Sequence, residues 1–274
     1  MWNTASFRSP FGDTLVLSEL HGERDAATVL MFAGFTSRRL NATNTQLAAR
    51  LQPLGVRSVA CDLSGHGDST GDIKDQTISK AAREIEAALA FVRTEFHLDA
   101  SHPIGLVGNS FSANAAILAA ARSDSLSAMA LKSPVTDYIS LRAKMLGESD
   151  MRRWRDDGYI VLPDGTRSDY AFVEDALAID TYAELAKIRI PVFAVQGSED
   201  AEIPRESRER LQALMGELGM TYVLMKGGDH NLSDPHFEPV MIAMAEFLSS
   251  HLGVGGSPHG GRPPGGLRRW IRRK

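Results

Sequence analysis

A serine in the segment 108–112, Gly-Asn-Ser-Phe-Ser, has the clearest potential for chemistry in this sequence. The apolar run 104–107 precedes the segment and the small-residue run 113–121 follows it, so the pattern predicts a strand, a sharp turn carrying Ser110, and a helix. A serine hydroxyl is a weak nucleophile unless a base takes its proton. The start of a helix also offers unpaired N–H groups to an oxyanion. An ordinary turn capped by a serine would fit the same five residues.

Two further polar residues follow predicted strands in the same way. Asp200 comes shortly after the apolar run 192–197, and His230 comes shortly after the run 222–225. Ligands of an open parallel sheet bind beyond the carboxyl ends of its strands, so we expect Ser110, Asp200 and His230 to meet there. In that arrangement His230 would take the proton of Ser110, and Asp200 would orient the imidazole and stabilise its cation.

The spacing of apolar runs along the chain predicts an α/β fold. Short apolar runs alternate with helical patterns, which indicates a mostly parallel central sheet with helices on both faces. After a hairpin at 6–11 and 14–19, the predicted strands are 28–33, 56–61, 104–108, 128–131, 192–197 and 222–225, and the predicted helices include 43–54, 79–96, 204–218 and 237–252. Ser79 is expected to cap the second of these helices.

The stretch of about 134–189 interrupts this alternation, and we expect it to form a small cap over the carboxyl edge of the sheet. It lacks a clean strand–helix pair, but 159–166 has the pattern of a hairpin. A cap supplies apolar walls and excludes water, so Trp154 and Tyr159 are candidates for contact with the substrate. The alternative is that the aromatic residues of this stretch form the core of the cap itself.

Composition limits the other classes of function. Of the 274 residues, 43% are hydrophobic and 23% are charged, as is ordinary for a globular protein. Cys61 is the only cysteine, which excludes an internal disulfide and a cysteine-based zinc site. Histidine pairs with the spacing of a helical metal site are absent, so neither a metal nor a cofactor is expected. The N-terminus does not resemble a secretory signal, and we expect a cytoplasmic protein.

The segment 253–274 differs from the rest of the chain. It carries six basic residues and no acidic residue, while the whole chain has a net charge of −4. Its glycine- and proline-rich part, 253–266, predicts a flexible linker. The basic and bulky end, 267–274, could contact an anionic surface weakly, although a solvated tail without a partner is the simpler interpretation. We expect no nucleic-acid partner, and the sequence does not indicate an oligomeric state.

Taken together, the motifs resemble those of the α/β-hydrolase superfamily. The segment 108–112 resembles its Gly-x-Ser-x-Gly turn, with Ser112 in place of the last glycine. The segment 32–35, Phe-Ala-Gly-Phe, is similar to the oxyanion loop of the family, with Ala33 in place of the usual histidine. The segment 62–69 matches an Asp-x-x-Gly-x-Gly-x-Ser loop found in many members. The order serine, aspartate, histidine along the chain is also the order of the family.

This resemblance covers roughly residues 4–252 and implies one α/β-hydrolase domain over 1–252 that includes the cap. It implies a nucleophile, a base and an acid at the serine, histidine and aspartate described above. The backbone N–H groups of Phe35 and Phe111 would form the oxyanion hole. Family members can also supply the acid from an earlier strand, so Asp137 is an alternative to Asp200, as is the neighbouring Glu199.

Other histidines and acidic residues are weaker candidates for the base and the acid. Asp229 adjoins His230, and as its neighbour in sequence we expect it to point elsewhere. His66 lies in a glycine-rich loop and is interpreted as a packing or hydrogen-bonding residue. A comparable position after a predicted strand is also lacking for His102, His236, His251 and His259.

Within the superfamily, the chain looks most like the small-cap branch of esterases, thioesterases and serine-aminopeptidase-like proteins. The segment 229–234, Asp-His-Asn-Leu-Ser-Asp, is similar to the histidine loop of cinnamoyl esterases. The resemblance implies hydrolysis of a small-molecule acyl ester or thioester through an acyl-serine intermediate. Two alternatives stay open: an acyltransferase that uses the same intermediate, and a ligand-binding relative without catalysis.

Overall fold

The computed structural model describes residues 1–22 and 26–254. The predicted linker and basic tail at 253–274 therefore lie outside the described residues, except for Gly253 and Val254. Within the described ranges, strands and α-helices follow in this order: β1 (Asn3–Arg8), β2 (Thr14–Leu20), β3 (Ala27–Phe32), α1 (Ala42–Leu51), β4 (Val56–Cys61), α2 (Ile78–Glu95), β5 (Ile104–Asn109), α3 (Phe111–Ala121), β6 (Ala128–Lys132), α4 (Tyr138–Asp157), β7 (Tyr159–Val161), β8 (Arg167–Asp169), α5 (Ala171–Ala178), α6 (Thr181–Leu185), β9 (Val192–Gly197), α7 (Arg205–Glu217), β10 (Thr221–Met225) and α8 (Phe237–His251).

The central sheet has eight strands in the order β1-β2-β4-β3-β5-β6-β9-β10. Every neighbouring pair from β4 to β10 is parallel, whereas β1 pairs with β2 and β2 pairs with β4 in antiparallel register. The predicted mostly parallel sheet with helices around it is confirmed. Because its parallel strands end at one edge, the residues that follow β5, β9 and β10 come together there.

Two apolar layers sandwich the sheet, and alternate residues of each strand point into opposite layers. In β3, Leu30 and Phe32 pack in the layer that contains α2 and α3, while Val29 and Met31 pack in the layer that contains α1 and α8. A strand that is buried on both faces is mostly apolar, which explains why β3, β5 and β9 appear in the sequence as nearly continuous apolar runs.

The helices begin and end close to their predicted positions, for local reasons. The second predicted helix begins at Ile78, and its N-cap is Thr77 rather than the expected Ser79: the Thr77 side chain accepts a hydrogen bond from the N–H of Lys80. The helix predicted at 43–54 ends as a short 3₁₀ turn at Gln52–Leu54. Gly55 follows it with a φ of 82°, which a glycine adopts without strain.

The stretch between β6 and β9 forms the helices and hairpin that the pattern of the cap predicts. Strands β7 and β8 pair in antiparallel register as a separate two-stranded sheet. The long helix α4 is interrupted at Gly147, whose backbone has φ 78° and ψ 169°. Among the described residues, none of the helices is long and apolar enough to cross a membrane.

We predict that Gly108→Ala destabilises the protein by roughly 1–3 kcal/mol, because an added methyl group would overpack the junction of β5 and α3. A Cβ at Gly108 would lie 2.6 Å from the Cα of Ala113. The measurement is the free energy of unfolding in urea. Gly216→Ala is the matched control, since a Cβ in that exposed helical position meets nothing within 4 Å. Equal stability of the two variants would contradict the close approach.

Candidate active site

The side chains of Ser110, His230 and Asp200 meet at the carboxyl edge of the sheet. The Nε2 atom of His230 lies 3.0 Å from the Oγ of Ser110, and its Nδ1 lies 2.8 Å from Oδ2 of Asp200. A carboxylate only accepts, so Nδ1 carries the hydrogen and donates it, which leaves Nε2 of a neutral imidazole free to accept the serine proton. These are the contacts that a serine nucleophile, a histidine base and an orienting acid would require.

The backbone at Ser110 is strained in a way that exposes its hydroxyl. Its φ of 51° and ψ of −108° lie in a region that residues with a side chain rarely adopt. The N–H of Ser110 donates a 2.9 Å hydrogen bond to the carbonyl of Lys132 at the end of β6, which holds the turn against the sheet. Other non-glycine residues with positive φ around the site are Thr36, Ser133 and Leu232. Strain of this kind tends to concentrate at functional sites.

Ser112, which stands where the resembled motif has glycine, has a structural function in the turn. Its hydroxyl donates to the carbonyl of Phe32 over 2.9 Å and accepts from the N–H of Asn109 over 2.9 Å. The side-chain amide of Asn109 donates to the same Phe32 carbonyl over 2.8 Å. These bonds tie the turn after β5 to the end of β3, so the serine at this position adds a connection that a glycine could not make.

The carboxylate of Asp200 is buried and fully oriented by donors. Its Oδ1 accepts hydrogen bonds from the N–H groups of Glu202 and Ile203, at 2.9 and 3.0 Å. Burial raises the pKa of Asp200, but the hydrogen bond and charge of His230, together with these backbone donors, outweigh it, so the pKa lies below its ordinary value. Asp200 is therefore ionised at neutral pH and holds the imidazole in one tautomer.

The loop that carries His230 is fixed from the neighbouring strand. The hydroxyl of Ser133, just after β6, donates a 2.5 Å hydrogen bond to the backbone carbonyl of His230. Gly197 at the end of β9 lets the chain before His230 pass close by, because a Cβ there would lie 2.4 Å or less from backbone atoms of Gly228 and Asp229. The imidazole is thus positioned by backbone contacts as well as by Asp200.

The loop after β3 passes directly beside Ser110. A Cβ added at Gly34 would lie 3.4 Å from the Cβ of Ser110, so the residue just before Phe35 packs against the serine. Phe111 is the first residue of α3, and the first N–H groups of a helix have no acceptor within it. The oxyanion hole expected at the backbone N–H groups of Phe35 and Phe111 stays a prediction.

A buried ion pair between Arg39 and Asp62 anchors the loop after β3. The sequence did not predict this pair. The guanidinium of Arg39 donates to the carboxylate of Asp62, and its Nη1 also lies 2.7 Å from Oδ2 of Asp68. Gly67 is required there, because a Cβ at this position would collide with the Asp62 carboxylate. The motif at 62–69 therefore fixes the loop after β3 through its ion pair with Arg39. The motif itself was recognisable in the sequence, whereas Arg39 was not.

A cavity of about 630 Å³ opens onto Ser110 and His230. One wall comes from loops at the sheet edge and is mostly polar, and the other comes from the cap. The cap wall is one face of the first turns of α4, with the side chains of Tyr138, Leu141, Arg142 and Met145, joined by Leu162, Pro163 and Asp164 from the hairpin. These four residues of α4 recur at spacings of three and four positions, as residues on one face of a helix do. This spacing could have indicated the inward face from the sequence alone.

Neither of the two aromatic residues expected to contact the substrate lines this cavity. Trp154 is completely buried and packs on Phe172, with parallel rings 6.4 Å apart, and on Tyr170. Tyr159 lies on β7 with 42% of its surface exposed, and the guanidinium of Arg167 stacks on its ring. Trp154 is therefore a core residue of the cap, which was the alternative interpretation of the aromatic residues in this stretch.

The other candidate acids and histidines lie elsewhere. Asp137 caps α4 by accepting from the N–H of Ser140, Glu199 is exposed, and the carboxylate of Asp229 accepts from Ser233. His66 is buried beside Phe35 and Phe111, its Nδ1 3.0 Å from the carbonyl of Ser64, as a packing residue would be. His102 bonds to Thr28 and His251 to the carbonyl of Phe247, whereas His236 bonds to the carbonyls of Lys226 and Ser233. His259 falls outside the described residues. No three His, Cys, Asp or Glu side chains cluster as a metal site in the described ranges.

Two carboxylates and one ammonium group shape the electrostatics around His230. Asp200 bonds its Nδ1, and the exposed Glu202 places Oε2 3.7 Å from its Nε2. Lys132 is buried in the cavity wall. Burial lowers the pKa of its ammonium to about 8, although the carboxylates of Asp229 and Asp200 act in the opposite direction. A basic group that releases its proton near pH 8 is therefore built in beside the candidate triad.

The alpha/beta hydrolase family model matches residues 20–245, and the chain belongs to this family. This membership supports a hydrolase as the general class of the protein. No curated protein sequence matches the chain.

Solved structures share the same architecture. The chain is similar to Est1E from Butyrivibrio proteoclasticus, determined with ferulic acid bound, with 23% identity and a TM-score of 0.76 over 91% of this chain and 99% of Est1E. It is also similar to the alpha/beta hydrolase GrgF from Penicillium sp. sh18, with 19% identity and a TM-score of 0.74 over 92% and 99% of the two chains. The esterase Pf2001 of Pyrococcus furiosus is 17% identical, with a TM-score of 0.71 over 92% and 93%. At these identities the likeness shows the fold.

We predict that Lys132→Met stabilises the protein at pH 7, by up to about 3 kcal/mol, because an ammonium ion no longer has to be buried. The pKa of Lys132 is about 8 in the folded protein, against an ordinary 10.5. The wild type should thus gain stability as pH rises from about 8 to 10.5, and the variant should lack this gain. Urea unfolding of both proteins between pH 7 and 10 is the measurement. Parallel pH profiles would contradict a depressed pKa at Lys132.

Proposed function

We propose that this protein is a serine hydrolase that cleaves carboxylic esters or thioesters through an acyl-serine intermediate. The observation that carries the proposal is the pair of contacts made by His230, with Ser110 Oγ at 3.0 Å and Asp200 Oδ2 at 2.8 Å. Membership of a hydrolase family and the cavity that opens onto the serine support it.

In the first half of the proposed reaction, the Oγ of Ser110 forms a bond to the carbonyl carbon while its proton moves to Nε2 of His230. The carbonyl oxygen becomes an oxyanion that the N–H groups of Phe35 and Phe111 would stabilise. Losing one such donor typically costs about 3 kcal/mol of transition-state stabilisation. The imidazolium then gives its proton to the departing alcohol or thiol as the bond to that group breaks.

In the second half, a water molecule loses a proton to His230 and its oxygen attacks the acyl-serine. Breakdown of this second tetrahedral intermediate releases the carboxylic acid and returns the proton to Ser110. The ionised Asp200 stabilises the imidazolium in both halves, and the bonds from Glu202 and Ile203 keep its carboxylate in place.

We predict that Ser110→Ala lowers turnover of p-nitrophenyl butyrate at least about 10⁴-fold while the fold stays intact, because the acyl acceptor is lost. Ser101→Ala, at an exposed serine in the loop before β5, is the control and should keep wild-type turnover. Activity is followed by p-nitrophenolate release and folding by circular dichroism. More than about a hundredth of the activity remaining in Ser110→Ala would contradict a nucleophilic role.

The same preparations separate hydrolysis from the alternatives. A fluorophosphonate probe should label the wild type and not Ser110→Ala, and absence of labelling in the wild type would favour a ligand-binding relative. Product analysis in the presence of added alcohol or amine should give the free acid as the main product. A dominant ester or amide product would indicate an acyltransferase instead.

We also predict that Asp200→Asn lowers kcat by roughly 10³–10⁴-fold, because the amide would favour the wrong imidazole tautomer. Asp137→Asn is the matched control: it changes the alternative acid, which caps α4, and should leave kcat within about threefold of wild type. Steady-state kinetics on p-nitrophenyl butyrate measure both. A larger loss in Asp137→Asn than in Asp200→Asn would reassign the acid.

A further inference from the structure

The cap wall of the cavity contains a buried guanidinium group that the proposed reaction does not use. Arg142 is only 6% exposed, yet its side chain lines the same cavity as Ser110 and His230. Its Nε atom is completely buried, and no partner within the described part of the chain accepts a hydrogen bond from it. A buried cation that lacks a bonded partner is destabilising, so its presence at a ligand cavity calls for a functional explanation.

Aromatic rings and distant charges surround the guanidinium. Its central carbon lies 5.9 Å from the ring centroid of Phe35 and 5.4 Å from that of Phe172, within the range of cation–π contacts. Burial lowers the pKa of Arg142, while Asp164 and Glu202 act on it electrostatically without forming an ion pair. Both of these carboxylates are on exposed residues. Arginine stays protonated at neutral pH, so the cavity holds a fixed positive charge.

The second buried cation of the cavity is in a different position. Lys132 is acted on by Asp229 and by Asp200, the candidate triad acid. Both of these carboxylates are at the sheet edge, whereas Arg142 extends from the opposite wall. Apolar side chains of Leu141, Met145 and Leu162 lie on that same wall. A substrate that fits this wall would combine an apolar stretch with an anionic group.

We infer that this hydrolase takes acyl esters or thioesters that carry a carboxylate group, and that Arg142 binds this carboxylate in the cavity. The inference rests on the proposed function and adds the class of substrate to it. A guanidinium presents parallel N–H donors that match the two oxygens of a carboxylate, and such charge-assisted bonds are strong where water is excluded. Arg142 would act as a specificity-determining residue, because it distinguishes the charged substrate from its neutral analogue.

The test compares two pairs of esters that differ in charge. p-Nitrophenyl hemiadipate and p-nitrophenyl hexanoate place the charge in the acyl part, and 3-carboxyphenyl butyrate and phenyl butyrate place it in the leaving group. In at least one pair the wild type should have the higher kcat/KM for the charged ester. Arg142→Met should lower that kcat/KM by roughly ten- to hundredfold and change the neutral ester by less than about threefold. The pair in which the wild type prefers the charged ester shows whether the acyl part or the leaving group of the substrate carries the carboxylate.

Two further variants serve as controls. Arg142→Lys keeps the charge but loses the planar donor pair, so it should retain part of the preference. Arg153→Met removes an exposed arginine from the same helix and should leave all four esters at wild-type rates. Binding of adipate to the wild type, measured by calorimetry, requires no turnover and should be lost in Arg142→Met.

The outcomes for the function and for the inference are distinct. Turnover that depends on Ser110 but shows no preference for the charged ester in either pair would overturn the inference and leave the proposed function standing. The same holds if Arg142→Met lowers the charged and neutral esters equally. Absence of turnover that depends on Ser110 would overturn the proposed function, and the adipate titration would still decide whether Arg142 binds a carboxylate.

Discussion

The strained backbone at Ser110 is the constraint on which the rest of the site depends. A residue with a side chain adopts this conformation only where its surroundings enforce it, and here three contacts do so. The N–H of Ser110 bonds to Lys132, Gly108 allows the start of α3 to approach, and the Ser112 hydroxyl joins the turn to β3. The hydroxyl of Ser110 is therefore held at the edge of the sheet, in front of a helix start, before any ligand arrives.

The partners of this serine come from strands that are distant in sequence but end at the same edge. Each partner is held twice: His230 by its ring contacts and by Ser133 at its backbone carbonyl, and Asp200 by His230 and by two backbone N–H groups. Such double support keeps the three groups in hydrogen-bond geometry without a substrate. Preorganisation of this kind favours charge development at the reacting centre, because little reorientation is needed during the reaction.

The cap and the sheet have separate functions in this arrangement. The sheet edge supplies the groups that could break an acyl bond, and these follow the ends of β5, β9 and β10. The cap supplies the wall against which a substrate would lie, and its inward face combines apolar side chains with the guanidinium of Arg142. In the proposed function, discrimination between substrates is therefore assigned mainly to the first turns of α4, and the chemistry to the sheet edge.

The sequence by itself determined the mostly parallel sheet, because buried parallel strands are nearly continuous apolar runs and are therefore easy to recognise. It also identified Ser110, Asp200 and His230 as strand-end residues, since each follows an apolar run. Only the tertiary structure decided which side of the cap faces the cavity. Both Trp154 and Tyr138 are large aromatic residues, and the packing of α4 against the rest of the cap buries the first in the cap core, whereas the second lines the cavity. The pairing of Arg39 with Asp62 and the isolation of Arg142 likewise arise from contacts between distant segments, which local patterns do not encode.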